Sequence, residues 1–305
     1  VPMISRLLAA NTFDVHLNLS GLISGFMVTK KLAKMGIPTV YDIADDLPKM
    51  TAHSPQIPGF ARAVGQTMAF RLMRSTARLS SQITYVTENL RIKYEEPHSA
   101  SMVLPNGVDI QMFRPEPLGG ILKRDLGFHG AFVVGFIGAL RQWVDLAPVF
   151  EAVQRLESVK VLIVGDEGGL TLTQTLAEKY KLDGKDGRIV FTGTVPFVTV
   201  PNFLNACDAI VTPFTFDNPT PLVALQAMAC GKPVITTRPL EIGCQAILSA
   251  PDAEAYRRHI NHLAADPAYC QKLGAEGRSY VIQHHDWAKI TERMERIIES
   301  RRPHD

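Results

Sequence analysis

Short apolar runs alternate along the chain with longer segments whose apolar residues recur every three or four positions. The short runs are typical of buried strands, and the longer segments are typical of amphipathic helices. In the first third of the chain we predict strands at residues 13–19, 38–43, 82–86 and 102–104, and helices at 21–35 and 58–79. In the remainder we predict strands at residues 132–137, 160–164, 188–192, 209–212 and 233–236. The helices between these later strands are predicted at residues 146–156, 170–180, 201–206 and 221–230, and two more helical patterns begin at 253 and 287. This alternation predicts parallel α/β sheets.

A proline- and glycine-rich stretch at residues 113–120 separates the two series of strands. Such stretches are typical of domain boundaries. We therefore predict one Rossmann-like domain over residues 1–114 and a second over 115–285. Ligands bind parallel sheets at the carboxyl ends of their strands, so a cleft between the two sheets is the expected ligand site.

The composition is that of an ordinary globular protein, with 46% hydrophobic and 20% charged residues and a formal net charge of +2. A charge so close to zero gives no reason to expect a nucleic-acid partner. The four cysteines show no CxxC spacing, which favours reduced thiols and a cytoplasmic protein. The longest apolar stretches, such as residues 131–140, are too short to cross a bilayer, and no signal peptide is visible. The first residues form a helical pattern that begins abruptly, from which we expect an N-terminal truncation.

The most informative segment runs from Asp217 to Thr237. Thr220 suits a helix N-cap, Pro221 suits the first helical position, and a glycine just past the predicted helix suits its end. The free N–H groups near Leu222 and Val223 would then bind an anion such as a diphosphate. A capped helix that only leads into a strand is the alternative.

The same segment resembles the donor-binding motif of family 4 glycosyltransferases, which has two glutamates followed by Ala-Met-Ala-x-Gly-x-Pro-Val. The second half of this motif matches residues 227–234. Further stretches resemble family signatures in the same order, at residues 104–109, 133–138, 161–166 and 191–196. The C-terminal stretch, residues 286–305, resembles the helix that returns to the first domain in that family.

The resemblance implies a GT-B fold, with two Rossmann-like parallel-sheet domains facing a cleft, of which the first is incomplete here. It also implies a retaining glycosyltransferase that moves a sugar from a nucleoside diphosphate sugar to a hydroxyl of a glycan or a lipid-linked acceptor. Such an enzyme needs no metal or other cofactor, because a helix N-terminus can stabilise the leaving diphosphate. The residues that the resemblance places at the donor are Gly138, Arg141, Gly165, Thr192, Val195, Thr220, Pro221, Leu222, Val223 and Gln226.

The chain departs from the family at the two motif glutamates, which fall at Asn218 and Gln226. In the family the first carboxylate contacts the donor sugar, and the second accepts hydrogen bonds from the ribose. The Gln226 amide can still accept such a bond, without charge assistance. Asn218 can hold a sugar hydroxyl but cannot stabilise positive charge in the transition state.

A second departure concerns the cations that contact the diphosphate in the family, an arginine and a nearby lysine. Ala139 and Val144 stand at or near these positions. Arg141 either replaces them from a shifted position or is a solvent-facing loop residue. Some bacterial polysaccharide glycosyltransferases look similar here, with Gly-Ala and a Trp followed by Asp.

On the acceptor side, Asp45 follows a strand and is a candidate base that orients a hydroxyl, with an N-cap or a solvated loop as the alternative. His16 is either an acceptor-side residue or a histidine with a local partner. A glycine-rich loop near the acceptor is expected in the family, and none precedes residue 13. Arg71, Arg74 and Arg78 share one helical face, which suggests either contact with an anionic membrane at its inner face or a solvated surface.

Two other functions stay open. The lost carboxylates and cations also fit a weak or inactive module that binds nucleotide sugars. A dinucleotide-dependent oxidoreductase is disfavoured, because no GxGxxG follows a predicted strand.

Overall fold

The computed structural model describes residues 6, 10–19, 22–54, 56–97, 100–166, 168–182, 187–215 and 220–302. The chain divides into two compact units, Val1–Asn106 with Ala288–Asp305, and Gly107–Trp287. Each is described by itself below. No helix among the described residues is long and apolar enough to cross a membrane.

The described residues of the first unit form a sheet of four parallel strands in sequential order, β1 (His16–Asn18), β2 (Thr39–Ile43), β3 (Gln82–Tyr85) and β4 (Ala100–Val103). Its helices are α1 (Ile23–Ala33), α2 (Leu47–His53), α3 (Gly59–Leu79) and α4 (Glu88–Tyr94). Side chains of Asp46 and Thr87 cap α2 and α4 by accepting backbone N–H groups, which explains where these short helices begin.

Both faces of this sheet pack against helices. Ile83 and Tyr85 of the central strand are fully buried with Met73 of α3 in one apolar cluster. A second cluster joins Val40 to Ile290 of the C-terminal helix, Trp287–Glu299. The final helix is therefore part of the first unit's core.

In the part of the second unit that the structure describes there are six parallel strands, β5 (Phe132–Ile137), β6 (Val159–Val164), β7 (Ile189–Phe191), β8 (Ala209–Thr212), β9 (Val234–Thr236) and β10 (Ile247–Ser249). Their helices are α5 (Leu118–Asp125), α6 (Ala147–Gln154), α7 (Leu170–Lys179), α8 (Val200–Ala206), α9 (Leu222–Ala229), α10 (Ala253–Ala265) and α11 (Pro267–His284). The strands lie in the order β10-β9-β8-β5-β6-β7. The order reverses between β5 and β8, and such a switch point is where doubly wound sheets bind ligands.

Consecutive residues of β5 point to opposite faces of the sheet, and both faces are buried. Val134 and Phe136 lie in one apolar cluster, and Val133 and Ile137 lie in the other. Burial on both faces explains why β5 appears in the sequence as a continuous apolar run. The alternation of parallel strands and helices predicted from the sequence is confirmed in both units.

The segments that enter and leave the second unit lie side by side. Val108 donates its backbone N–H to His285 (2.7 Å) and accepts one from Trp287 (3.1 Å). Phe113 is buried in the core of this unit. The second core therefore includes Val108, which precedes the proline-rich stretch on which we based the domain boundary, and Phe113, which begins that stretch.

Candidate functional site

Two glycines predicted to bind the donor lie in contact at the carboxyl ends of β5 and β6. Gly138 and Gly165 both have positive φ, +153° and +116°. A Cβ on Gly165 would lie 2.1 Å from the carbonyl oxygen of Gly138, so these loops approach more closely than any side chain allows. The Gly138 N–H donates to Val164 (2.9 Å) and continues the ladder between the strands. The arrangement holds two backbone turns together beside the switch point.

The loop after β7 joins this glycine pair. Gly165 donates its N–H to the Gly193 carbonyl (2.9 Å), and Thr192 donates its hydroxyl to the same carbonyl (2.9 Å). Thr192 and Val195 are half-buried, and Val195 packs against the core of the second unit. The structure therefore brings three predicted donor residues, Gly165, Thr192 and Val195, to the same edge of the sheet.

The loops on either side of the switch point are joined to each other. We call residues 138–146 the β5 loop and residues 213–215 the β8 loop. Val144 and Phe214 form an antiparallel bridge, Asp145 donates its N–H to Pro213 (2.8 Å), and Thr215 donates its N–H to Trp143 (2.8 Å). This short ladder fixes one end of each loop relative to the other.

Arg141 lies in the β5 loop with its guanidinium over the Trp143 ring, 5.9 Å from the ring centroid. The arginine is exposed and the tryptophan is half-buried. A guanidinium on an aromatic face keeps its N–H donors at the edge of its own plane, so Arg141 can still bind an anion.

The helix predicted from residue 221 begins one residue later than expected. Pro221 is the N-cap of α9, with φ −65° and ψ 129°, and Leu222 is its first helical residue. The prediction of Thr220 as N-cap and Pro221 as first helical residue is therefore wrong by one position, because the extended ψ of Pro221 places it outside the helix. Thr220 is buried, at 5% exposure. Since proline has no polar side chain, no N-cap side chain accepts the first N–H groups of α9.

The other predicted residues of α9 lie on its first two turns. Leu222 is exposed, and Val223 and Gln226 are half-buried. The helix holds no ionisable side chain, so its N-terminus offers N–H groups and the positive end of the helix dipole. Asn218, the predicted catalytic residue, lies outside the described residues.

A cation that sequence reasoning missed follows β9. Arg238 is exposed, and its Nη2 donates to the Thr215 carbonyl of the β8 loop (3.0 Å). Nothing in the sequence marks this arginine, because it lies 23 residues after Thr215, the residue that it contacts.

In the first unit, two adjacent acidic residues follow β2, Asp45 and Asp46, and their surroundings differ. Asp46 caps α2 and accepts hydrogen bonds from Lys93 Nζ (2.6 Å) and the Tyr94 hydroxyl (2.5 Å). Burial would raise the pKa of Asp46, but these hydrogen bonds and the Lys93 charge outweigh it and lower the pKa. Asp45, the predicted base, has an exposed side chain. The neighbouring protein still shields its carboxyl from part of the surrounding water, and this desolvation raises the pKa of Asp45. The role of Asp45 as a base stays a prediction.

His16 lies in β1, where its Nδ1 is 3.3 Å from the hydroxyl of Thr39 on β2. Burial lowers the pKa of His16, which favours the neutral imidazole. The local partner that was the alternative to an acceptor-side role is therefore present.

A cavity of about 200 Å³ lies between α3 and the end of α4, with Phe70, Arg74, Lys93 and Tyr94 among its lining residues. At its edge Glu96 is 4% exposed and accepts hydrogen bonds from Arg74 and from Arg78 (2.9 Å). Two of the three arginines predicted to share a face of α3 are therefore bound by one buried carboxylate.

Proteins of known structure share the arrangement of strands and helices described above. The chain is similar to the Anabaena protein HepE, solved with UDP and glucose, at 21% identity and a TM-score of 0.79, over 98% of this chain and 82% of that one. It is also similar to sucrose-phosphate synthase from Thermosynechococcus elongatus, at 18% identity and a TM-score of 0.79, over 97% and 76% of the two chains. The two parallel α/β units are those of the GT-B fold, which confirms the predicted fold class.

Residues 131–266, a little under half of the chain, match the family model described as glycosyl transferases group 1. Among curated proteins, a D-inositol 3-phosphate glycosyltransferase from Segniliparus rotundus is 25% identical over 87% of this chain and 60% of its own length. Spore coat protein SA from Bacillus subtilis is 20% identical over 75% of this chain and 66% of its own length. The match to this chain thus spans about two thirds or less of the length of these two relatives.

Proposed function

We propose that this protein is a retaining glycosyltransferase that transfers a sugar from a nucleoside diphosphate sugar to a hydroxyl of a glycan or a lipid-linked acceptor. The observation that carries the proposal is the N-terminus of α9, which follows β8 at the switch point of the second sheet. The close glycine pair, Gly138 and Gly165, lies at the ends of β5 and β6. Backbone N–H groups and a helix dipole at such a point suit a diphosphate.

Each part of a donor molecule has a proposed partner. The leaving diphosphate would meet the N–H groups of Leu222 and Val223, where negative charge develops during transfer. The ribose hydroxyls would donate to the amide oxygen of Gln226, and Asn218 would hold the sugar. Arg141 would add positive charge from the β5 loop. These interactions need no metal ion, since the helix N-terminus stabilises the departing charge.

A UDP-linked sugar is the donor that we propose to test first. HepE was solved in complexes with UDP, with UDP and glucose, and with UDP-glucose. The supporting likeness is one of fold, and it covers 98% of this chain. Use of a nucleotide sugar, together with the free cysteines, fits a cytoplasmic location.

The second candidate is a module that binds nucleotide sugars with little or no transfer. The observation that favours it is the replacement of both motif glutamates by the amides Asn218 and Gln226, with Ala139 and Val144 where cations are expected. An amide still accepts a hydrogen bond but stabilises no positive charge. The two candidates therefore share a binding site and differ in turnover.

Calorimetric titration with UDP, GDP and their sugars, followed by an assay of sugar release and transfer, separates these proposals. Binding with turnover supports the enzyme. Binding without release or transfer by the full-length gene product supports the module and contradicts the enzyme. If no nucleotide binds, both proposals are wrong.

A variant of Gln226 tests the ribose contact directly. Gln226→Glu restores the charged acceptor found in the family and should strengthen nucleotide binding, since charge-assisted hydrogen bonds are about twice as strong as neutral ones. Gln174→Glu makes the same chemical change on the exposed surface of α7 and should leave affinity unchanged. Equal affinities in all three proteins would show that Gln226 does not contact the nucleotide.

We also propose that the exposed face of α3 contacts an anionic membrane surface, where a lipid-linked acceptor would lie. Phe60, Val64 and Met68 are 90%, 70% and 50% exposed and share this face with Arg71. The helix holds four arginines and no acidic residue. Apolar side chains beside cations on one exposed helical face suit an interface of acyl chains and anionic headgroups.

Vesicle flotation tests the membrane contact. The chain should float with phosphatidylglycerol-containing vesicles and less with phosphatidylcholine alone. The double change of Phe60→Ser and Val64→Ser should reduce flotation, whereas Leu172→Ser, at a side chain 77% exposed in the second unit, should not. Equal flotation of all variants would contradict a contact through α3.

A further inference from the structure

The cavity of about 200 Å³ in the first unit has an apolar floor and a charged rim. Ile43 and Met73 line it and are buried. Arg74, Lys93 and Glu95 also line it, and their side chains are partly exposed to solvent. A mainly apolar cavity with a few polar groups at its edge is the usual form of a small-molecule site.

Two aromatic rings lie next to each other in the lining. The ring centroids of Phe70 and Tyr94 are 6.1 Å apart, with an interplanar angle of 47°. A cavity of about 150 Å³ holds a benzene ring, so this cavity is large enough for one substituted six-membered ring. A ring that presents C–H groups on one face would pack well on these aromatic side chains.

The charged groups of the rim are held in place by ion pairs. Glu96 is buried at 4% exposure, lines the cavity, and accepts hydrogen bonds from Nε of Arg74 and from Nε of Arg78. Lys93 Nζ donates to Asp46 (2.6 Å). Because these side chains are already held, they lose little conformational freedom when a ligand binds.

The same side chains keep donors and acceptors for a ligand. Among the described residues, the Nη groups of Arg74 have no hydrogen-bond partner, and Lys93 uses one of its N–H groups. Glu95 Oε1 accepts from Arg91 and from Ser101, whereas its Oε2 accepts from none of the described residues. A carboxylate accepts only and the two cations donate only, so the rim offers both functions.

The mixed charges of the rim select the class of ligand. An anion would be repelled by Glu95 and Glu96, and a cation would be repelled by Arg74 and Lys93. A wholly apolar ligand would cover these groups without bonding to them, which costs free energy. A neutral ring with hydroxyl groups fits best, because each hydroxyl both donates and accepts.

We propose that this cavity binds one neutral hexopyranose residue of a glycan. The C–H face of the sugar ring packs on Phe70 and Tyr94, and its hydroxyls bond to the charged groups of the rim. The lining includes Ala77, near the end of α3, and α3 leads toward the amino end of β3. The cavity therefore extends away from the carboxyl end of β2, where Asp45 lies, and is a site additional to those of the proposed function.

Titration with the methyl glycosides of glucose, galactose and mannose, followed by saturation-transfer NMR, tests the proposal. At least one glycoside should bind with a Kd in the millimolar range, the affinity expected of one ring contact and a few hydrogen bonds. Phe70→Ala should weaken this binding by about fivefold, because the sugar loses apolar contact. Lys93→Met keeps the aliphatic stem but removes the donor, and should weaken binding by about threefold.

Phe13→Ala and Lys272→Met are the matched controls. Phe13 is 45% exposed in the first unit and does not line the cavity. Lys272 forms an ion pair with Glu276 (3.9 Å) in the second unit. Both controls should leave sugar affinity unchanged. Equal losses in the controls and the cavity variants, or unchanged affinity in Phe70→Ala, would overturn the proposal.

Two further probes test the class of ligand. Inorganic phosphate should not displace the bound glycoside, and displacement would show that the cavity is an anion site. A disaccharide of the same hexose should bind at least as tightly, because its second ring can extend past the rim. Exclusion of the disaccharide would contradict a site for glycans, and failure of every glycoside to bind would overturn the proposal. These experiments use no nucleotide, so their outcome is separate from that of the proposed function.

Discussion

Replacing Gly165 with alanine should damage the second unit far more than an ordinary glycine substitution. The added Cβ would lie 2.1 Å from the Gly138 carbonyl oxygen, and the residue would keep a φ of +116°, which alanine rarely adopts. The two loops would have to separate by more than about 1 Å to reach van der Waals contact. They are the continuations of β5 and β6, which pair along six residues each, so little movement is available.

The expected loss in the free energy of unfolding has two sources. Backbone strain at such a φ costs about 1–3 kcal/mol. Separation of the loops would also break the hydrogen bond from the Gly138 N–H to Val164, worth about 1 kcal/mol. We therefore expect Gly165→Ala to lower the free energy of unfolding by about 2–4 kcal/mol. Nucleotide binding should weaken as well, because the β5 loop that carries Arg141 begins at Gly138.

Gly127→Ala provides the matched control. Gly127 also has a positive φ, +74°, but nothing lies within 4 Å of an added Cβ. This variant should lose about 1–2 kcal/mol from backbone conformation alone and keep its nucleotide affinity. Urea unfolding followed by intrinsic fluorescence measures both variants. If Gly165→Ala is no less stable than Gly127→Ala, the close approach of the two loops is absent in the native protein and the reasoning is wrong.

Three further outcomes can be measured on the same chain. The pKa of Asp46 is lowered overall in the folded protein. Its ion pair with Lys93 therefore stabilises the protein above the pKa of the unfolded state, about 4, and this contribution is lost as pH falls through the pKa of the folded state. The stability difference between the unmodified chain and Lys93→Ala should therefore shrink from pH 7 to pH 3 in urea unfolding. Burial raises the pKa of Cys207 and of Cys230 to about 12, so at pH 8 both thiols should react with a thiol reagent only after denaturant unfolds the chain. Gly274→Ala would place a Cβ 2.0 Å from the carbonyl oxygen of Gly231, the glycine that follows α9. Because overpacking of this kind costs about 1–3 kcal/mol, the variant should have a lower melting temperature.

Strands buried on both faces were predictable because their residues form continuous apolar runs, as Phe132–Ile137 does. The last strand of the second sheet, Ile247–Ser249, was missed because two of its residues are half-buried, the third is exposed, and they form no such run. The short helix Leu47–His53 was missed for a similar reason. It is defined by its cap, Asp46, more than by an apolar pattern.

The candidate donor site was predictable where the motif is continuous in sequence and unpredictable where loops meet in space. The motif at residues 227–234 led directly to Gln226 and the N-terminus of α9 as donor contacts, and these contacts stay a prediction. Contact between Gly138 and Gly165, and between Thr215 and Arg238, depends on which strands are neighbours in the sheet. Strand order is set by packing of the whole unit, so no local pattern contains it.

The donor site that we propose depends on backbone geometry more than on charged side chains. Helix α9 carries no ionisable residue, and both glutamates of the family motif are amides here. A diphosphate would then be bound mainly by N–H groups, whose directions are set by the loops that lead to them. In a site rich in charge, small loop movements cost little, because Coulomb attraction falls slowly with distance. Hydrogen bonds weaken steeply with angle and distance, so this site requires loops that stay in place. The close contact of Gly165 with Gly138 provides part of that constraint, which is why we expect Gly165→Ala to weaken nucleotide binding.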